Sequence, residues 1–356
     1  MPRLAVVTND FPPQRGGIQR YLGSLVDAYP GEVVVLAPRG GPAGSAATVI
    51  RHHRRFLWPT TGVTDWVVSQ LAGVDVDVVL FGAPWPLPLM TDRIRRRLDR
   101  PVAVLSHGAE VTLPAAVPGA AGVLRRCLAA ADLRFAVSRY TVGPVEALTG
   151  KPVHYLGAGV DLATFTPTIG TKPPVPVVGC VSRFVPRKGQ HLLLDAVAEL
   201  RLEGTALDVV LAGTGRMERS LRRQATRLGV PVRFVIDPPW DQLPRIYASL
   251  DVFAMPCRSR WFGLEVEGLG LVFLEAAASR LPVIAGASGG SPETVVDGET
   301  GYVVATHDQL VGALRTLTAD GALRHRMGAA GRVRMEADFT WAAVVDRMLA
   351  AFAEVR

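Results

Sequence analysis

Residues 261–293 read W-F-G-L-E-V-E-G-L-G-L-V-F-L-E-A-A-A-S-R-L-P-V-I-A-G-A-S-G-G-S-P-E. Glu267 and Glu275 stand with seven residues between them, and Gly268, Leu269 and Gly270 follow the first. Val272–Ser279 reads as the first turns of a helix, L-P-V-I-A-G as an apolar strand, and G-G-S-P-E as a turn opening the next helix. This alternation of strand, glycine-rich turn and helix is that of ligand sites in doubly wound sheets. Glycine lets a backbone approach a ligand closely. A helix start offers unpaired N–H groups and the positive end of its dipole. Together they suit a diphosphate. Carboxylates repel phosphate, so the two flanking glutamates are expected to hold neutral hydroxyls. Phosphate in the middle with hydroxyls on either side is the chemistry of a nucleotide sugar.

Working upstream, the same pattern recurs. Strands are predicted at 177–182, 207–212, 232–236, 252–255, 282–285 and 300–305. The first of them runs into R-F-V-P-R-K-G, so Arg183 and Lys188 leave a strand at the end where open α/β sheets bind ligands. Two cations there would neutralise a diphosphate and the charge it gains as a leaving group. Lysine occurs only at 151, 172 and 188, against thirty-six arginines. A lysine kept against that bias favours Lys188 as a needed point charge.

The first half is also α/β, with strands expected at 4–8, 32–37, 76–82, 101–106, 134–138 and 153–157. The first crossing carries Asp10 and then Gly16-Gly17 at the start of a helix reaching Ala28, a second potential phosphate cradle. His107, in S-H-G-A-E, follows a strand directly at its leaving end. Asp75-Val76-Asp77 has the form of a metal-binding D-x-D, but it precedes its strand and reads as a solvated strand start. Residues 159–174 read as a linker. The last helix, 341–356, has apolar residues at 341, 344, 345, 348 and 352, on one face.

A chain of 356 residues predicts two domains, and 49% apolar with 20% charged residues supports sizeable cores. No apolar run reaches the roughly 18 residues of a membrane span. The start has no signal-peptide pattern, so the expected location is the cytoplasm. Cys127, Cys180 and Cys257 have no metal or redox spacing and are expected as reduced, buried thiols. The net charge of +7 suits an anionic partner. R-H-H-R-R-F-L-W at 51–58 and the basic helix expected at 91–100 suit an anionic membrane face, or simply solvated charge. No interleaved aromatic repeat supports nucleic-acid binding.

The chain resembles the retaining glycosyltransferases of family 4, of the GT-B fold. The resemblance rests on G-G-I-Q at 16–19, S-H-G-A-E at 106–110, G-V-D at 159–161, S-R-F-V-P-R-K-G at 182–189, G-T-G-R at 213–216 and E-G-L-G-L-V-F-L-E-A at 267–276. T-N-D-F-P-P-Q-R-G-G-I-Q and G-L-E-V-E-G-L-G are further similar to phosphatidylinositol monomannoside mannosyltransferases that use GDP-mannose.

The resemblance implies two Rossmann-like domains facing across a cleft, residues 1–168 and 169–340, with helix 341–356 returning to the first. It implies α-1,6 transfer to a lipid-linked acceptor at the inner face of the plasma membrane. It implies Arg183 and Lys188 on the diphosphate, with Gly16 and Gly17 approaching the same group. Glu267 and His107 are implied on the sugar, with Gly268, Leu269 and Gly270 lining the donor, and Glu275 on the ribose. Asp10 is implied on the acceptor side, and neither metal nor cofactor is called for. Residues 235–239, V-I-D-P-P, depart from the family pattern near the nucleotide base, which leaves base preference open, and Ala109 and Glu265 depart where close relatives carry His and Asp. The alternatives are another nucleotide-sugar donor with a polysaccharide or small-molecule acceptor, a nucleotide-sugar epimerase, or a non-catalytic module.

Overall fold

The computed structural model describes residues 1–42, 44–45, 47–117, 119–167 and 174–355. The boundary expected at 168/169 and Lys172 in the linker lie outside them. The chain divides into two compact units. Met1–Gly159 with Trp341–Arg356 form one, and Val160–Thr340 the other.

The first unit holds seven strands: β1 (Leu4–Val7), β2 (Val33–Ala37), β3 (Thr48–Arg51), β4 (Val78–Phe81), β5 (Val102–Ser106), β6 (Leu133–Ala136) and β7 (His154–Tyr155). Their order is β3-β2-β1-β4-β5-β6-β7, and every neighbouring pair is parallel. Parallel strands covered by helices on both faces are apolar throughout, and β1 and β4 are buried along their whole length. Ala5, Val7, Val79 and Phe81 from these strands share one core with Val67, Ile94, Leu124 and Val145 from four helices. The helix Trp341–Phe352 completes this unit through Val344, Val345, Met348 and Phe352. Trp341 lies edge-on to Tyr21 at 5.2 Å, and Phe352 packs against Phe135.

The second unit holds β8 (Val177–Val181), β9 (Asp208–Gly213), β10 (Val232–Ile236), β11 (Val252–Met255), β12 (Val283–Gly286) and β13 (Gly301–Val304). They are ordered β10-β9-β8-β11-β12-β13, again parallel. In each unit the order reverses beside the first strand, between β1 and β4 and between β8 and β11. Loops leaving such a switch point diverge and open a crevice for ligands.

Two expectations differ from the structure. Strand β3 has no counterpart in the sequence reading; T-V-I-R is short, lies at the sheet edge and is nowhere fully buried. The basic helix expected at 91–100 stops at Leu98, because Asp99 turns into the left-handed region (φ 49°). Its arginines are largely paired. Arg93 meets Asp65, Arg95 meets Asp132 at 2.8 Å, and Arg100 meets Asp75 at 3.3 Å. Only Arg96 and Arg97 of that run stand exposed within the helix. Asp75 also pairs with Arg3, and the Asp77 carboxylate accepts from the Arg3 N–H, so the D-x-D aspartates face arginines at the entering end of β4.

Candidate active site

In the second unit the loops leaving β8 and β11 carry the charged residues. After β8 the chain makes one tight turn, Pro186–Lys188, which returns Lys188 beneath the loop. Its ammonium is buried and lies 2.7 Å from a carboxylate oxygen of Glu267. Arg187, from the same turn, bonds that carboxylate as well, and lies 3.8 Å from Glu265. Glu265 in turn meets Arg260 at 3.0 Å. The result is a chain of alternating charge: Lys188, Glu267, Arg187, Glu265, Arg260. Arg183, four residues before Arg187, remains exposed at the rim, and its carbonyl accepts from the Gln190 amide at 2.9 Å.

Burial alone would push the Glu267 carboxyl up, but Lys188 and Arg187 together hold it below the usual glutamate range. Its backbone is fixed from behind. The Glu267 N–H donates to Ser288 Oγ at 3.2 Å, and its carbonyl accepts from the Gly290 N–H at 2.9 Å. Gly289 sits at φ +55°, and any Cβ there would strike the Glu267 carbonyl. The S-G-G turn after β12 is therefore a support for Glu267.

Gly268 and buried Leu269 lead from Glu267 to Gly270, which adopts φ 89°, ψ 82° and opens the helix Leu271–Ala278. That helix starts four residues after Glu267, and its Phe273 N–H donates to the Gly270 carbonyl at 3.0 Å. Glu275, on the same helix, is buried and accepts from the hydroxyl of fully buried Tyr247 at 2.8 Å. The structure thus brings Glu267 and Lys188 into direct contact, leaves Arg183 exposed on the loop that carries Lys188, and gives Glu275 a separate partner. Arg187 was not singled out in the sequence. Its neighbours in P-R-K-G carry the signal, but only the folded turn shows that it shares Glu267 with Lys188.

In the first unit Asp10 and His107 leave β1 and β5. Asp10 accepts from the Gln19 amide at 2.7 Å, which ties the loop to the first turn of the helix Gly17–Ala28. Gly16 precedes that helix, and a side chain at Gly17 would meet nothing within 4 Å. His107 Nε2 lies 2.9 Å from the Gly82 carbonyl and must carry the proton there, leaving Nδ1 as the acceptor in the neutral ring. Tyr21 lies edge-on to the imidazole at 5.3 Å. Burial raises the Asp10 carboxyl above the usual range; His107 opposes this and Glu110 reinforces it. Among the described residues no group of three or more His, Cys, Asp or Glu side chains could hold a metal ion.

Two doubly wound parallel-sheet units, one with cations and carboxylates at its switch point, are the plan of the GT-B fold. Solved structures agree on that fold. Sucrose-phosphate synthase from Thermosynechococcus elongatus superposes with a TM-score of 0.82 at 20% identity, covering 100% of this chain and 99% of its own. Anabaena HepE, in complex with UDP, gives 0.82 at 19% identity, covering 99% and 100%.

The chain belongs to the group 1 glycosyl transferases, whose family model matches residues 166–334. It is 40% identical to the GDP-mannose-dependent alpha-(1-6)-phosphatidylinositol monomannoside mannosyltransferase of Mycolicibacterium smegmatis, over 92% of each chain. It is 39% identical to the enzyme of the same name from Mycobacterium tuberculosis, over 96% of this chain and 95% of that one. A Corynebacterium glutamicum mannosyltransferase for the monoacylated acceptor is 36% identical over 96% of each.

Proposed function

We propose that the protein transfers mannose from GDP-mannose to phosphatidylinositol monomannoside, forming an α-1,6 linkage with retention at the anomeric carbon. The observation that carries this reading is the Lys188–Glu267–Arg187 cluster at the β8/β11 switch point, in a chain similar over nearly its full length to enzymes of that name. Arg183 and Lys188, with Arg187 beside them, act on the diphosphate. Glu267 and His107 hold the sugar hydroxyls, and Glu275 the ribose. Gly16 and Gly17 bring backbone close to the diphosphate, and Asp10 works on the acceptor side. No metal takes part in this scheme.

The bond from the anomeric carbon to the diphosphate oxygen breaks as charge grows on that oxygen. Fixed cations there stabilise the transition state more than the ground state. Double displacement needs a carboxylate close beneath the anomeric carbon. Glu267 is engaged with two cations and Glu275 with Tyr247, so neither is assigned that role. The acceptor oxygen then bonds the anomeric carbon on the face that GDP leaves, and its proton passes to the departing phosphate. The enzyme works as a peripheral protein on an anionic membrane face; among the described residues no helix is long and apolar enough to cross a membrane. A calorimetric screen of nucleotide sugars tests the donor. GDP-mannose should bind and turn over best, and a strong preference for UDP-glucose or UDP-N-acetylglucosamine would overturn the assignment.

A further inference from the structure

Both cations on Glu267 use the same carboxylate oxygen. The Lys188 ammonium lies 2.7 Å from Oε2, and the Arg187 guanidinium bonds Oε2 through Nη1. Among the described residues Oε1 has no hydrogen-bond partner. Two charged donors therefore occupy Oε2, while Oε1 keeps its lone pairs for a neutral donor such as a sugar hydroxyl. Which way Oε1 points is set by what holds Oε2.

The two holders are not equivalent. Lys188 is a point charge on a flexible stem, and the reading above also sends it to the diphosphate. Arg187 carries a planar fork that is held at several points. Its carbonyl accepts from the Arg258 N–H at 2.9 Å, and its Nε lies 3.8 Å from Glu265 Oε1. The Arg187 and Glu265 side chains are 13% and 16% exposed, so solvent ions screen this pair little.

Glu265 is in turn placed by a strained turn. The Arg260 N–H donates to the Glu265 carbonyl at 3.0 Å, the Glu265 N–H donates to the Arg260 carbonyl at 3.2 Å, and the two side chains pair at 3.0 Å. Between them Trp261 and Phe262 both adopt left-handed backbone, φ 50° and 55°, before Gly263 at 89°. Consecutive side-chain-bearing residues are disfavoured there, and such strain persists only where surrounding contacts hold it. The turn seals no core, since Trp261 is 54% exposed and Phe262 fully so. What it fixes is the Glu265 carboxylate, with Oε2 on Arg260 and Oε1 toward Arg187.

We propose that Glu265 is a positioning residue of the transfer reaction. It keeps Arg187 on Oε2 of Glu267, so that Oε1 stays aimed at a donor-sugar hydroxyl while Lys188 turns to the diphosphate. The inference rests on the donor reading above. Glu265 touches neither sugar nor phosphate and acts through Arg187.

The test is a double-mutant cycle on the full chain at a temperature where the variants are folded. It is read as kcat and KM for GDP-mannose and as GDP affinity by calorimetry. Glu265→Gln should lower kcat by about tenfold, the size of a coupling between charges in contact. Its KM and GDP affinity should hold or improve, because the change removes negative charge near a site for a diphosphate. Glu265→Asp keeps the charge and should recover part of kcat. Arg260→Gln loosens Glu265 from its other partner and should lower kcat in the same direction; it carries the cycle if Glu265→Gln does not fold. In an Arg187→Gln background neither change should lower kcat further.

Full additive losses in that background would overturn the positioning role. So would GDP affinity that falls in step with kcat, the pattern of a turn that has simply collapsed. If the native protein turns over another nucleotide sugar instead, the cycle is read with that sugar. Coupling there supports the role of Glu265 and overturns only the GDP-mannose assignment.

Discussion

Lys188 and Glu267 form a buried ion pair that Arg187 shares. Such a cluster costs desolvation of every charge in it, and removing one member leaves the others uncompensated. Lys188→Ala is expected to destabilise the fold by about 3 kcal/mol, the lower end for a broken buried pair because Arg187 still meets Glu267. At a temperature where the variant is folded, its kcat should fall by roughly a hundred- to thousandfold, with a smaller change in KM for the donor. A variant that changed only KM would show that the ammonium binds ground state and transition state equally. Glu267 supplies a pH test. Its folded-state value lies below the ordinary 4.5. Its contribution to stability is therefore present above that pH and is lost as the pH falls through the folded value. In urea unfolding, the stability gap between native protein and Glu267→Gln should narrow on acidification below pH 4.5, and a constant gap would contradict the ion-pair assignment. At this scale the sequence was informative where glycine and strand ends frame a charge, as at Arg183, Lys188 and Glu267. It could not separate Arg187 from a solvated cation, because pairing across the 187–267 separation exists only in the folded chain.

Among the elements, the turn from Glu267 into the helix Leu271–Ala278 is the most demanding. Gly270 at φ +89° would bring a Cβ to 2.7 Å from the Phe273 ring. Gly270→Ala should cost about 1–3 kcal/mol. Because it shifts the helix start proposed to meet the diphosphate, it should also weaken GDP binding; unfolding midpoint and calorimetry measure the two effects separately. Most strands were legible because parallel strands buried on both faces are continuous apolar runs, as L-A-V-V and V-V-L-F show. Strand β3 was not, since an edge strand with a threonine and an arginine carries no such run. The end of the helix at Leu98 was hidden for another reason. An aspartate in the left-handed region serves as a stop where the sequence offers no glycine.

Over the whole molecule, the three cysteines sit in cores, one in the first unit and two in the second. Burial pushes the Cys127 and Cys180 thiols up to about 11 and Cys257 to about 12. At neutral pH a thiol reagent should therefore react slowly with native protein and rapidly once it is unfolded. Fast labelling of the native chain would mean that a core opens readily. The two-unit plan was readable from repeated strand, turn and helix patterns, but the sheet order that makes β8/β11 a switch point was not, since it depends on which strands pair.

The most direct measurement supplies GDP-mannose and phosphatidylinositol monomannoside to the protein and reads the new linkage by NMR. Transfer with retention predicts a single additional mannose in the α configuration at the acceptor's 6-position, with GDP released. A β-mannoside, or a protein that leaves GDP-mannose intact while consuming a UDP-sugar, would contradict it.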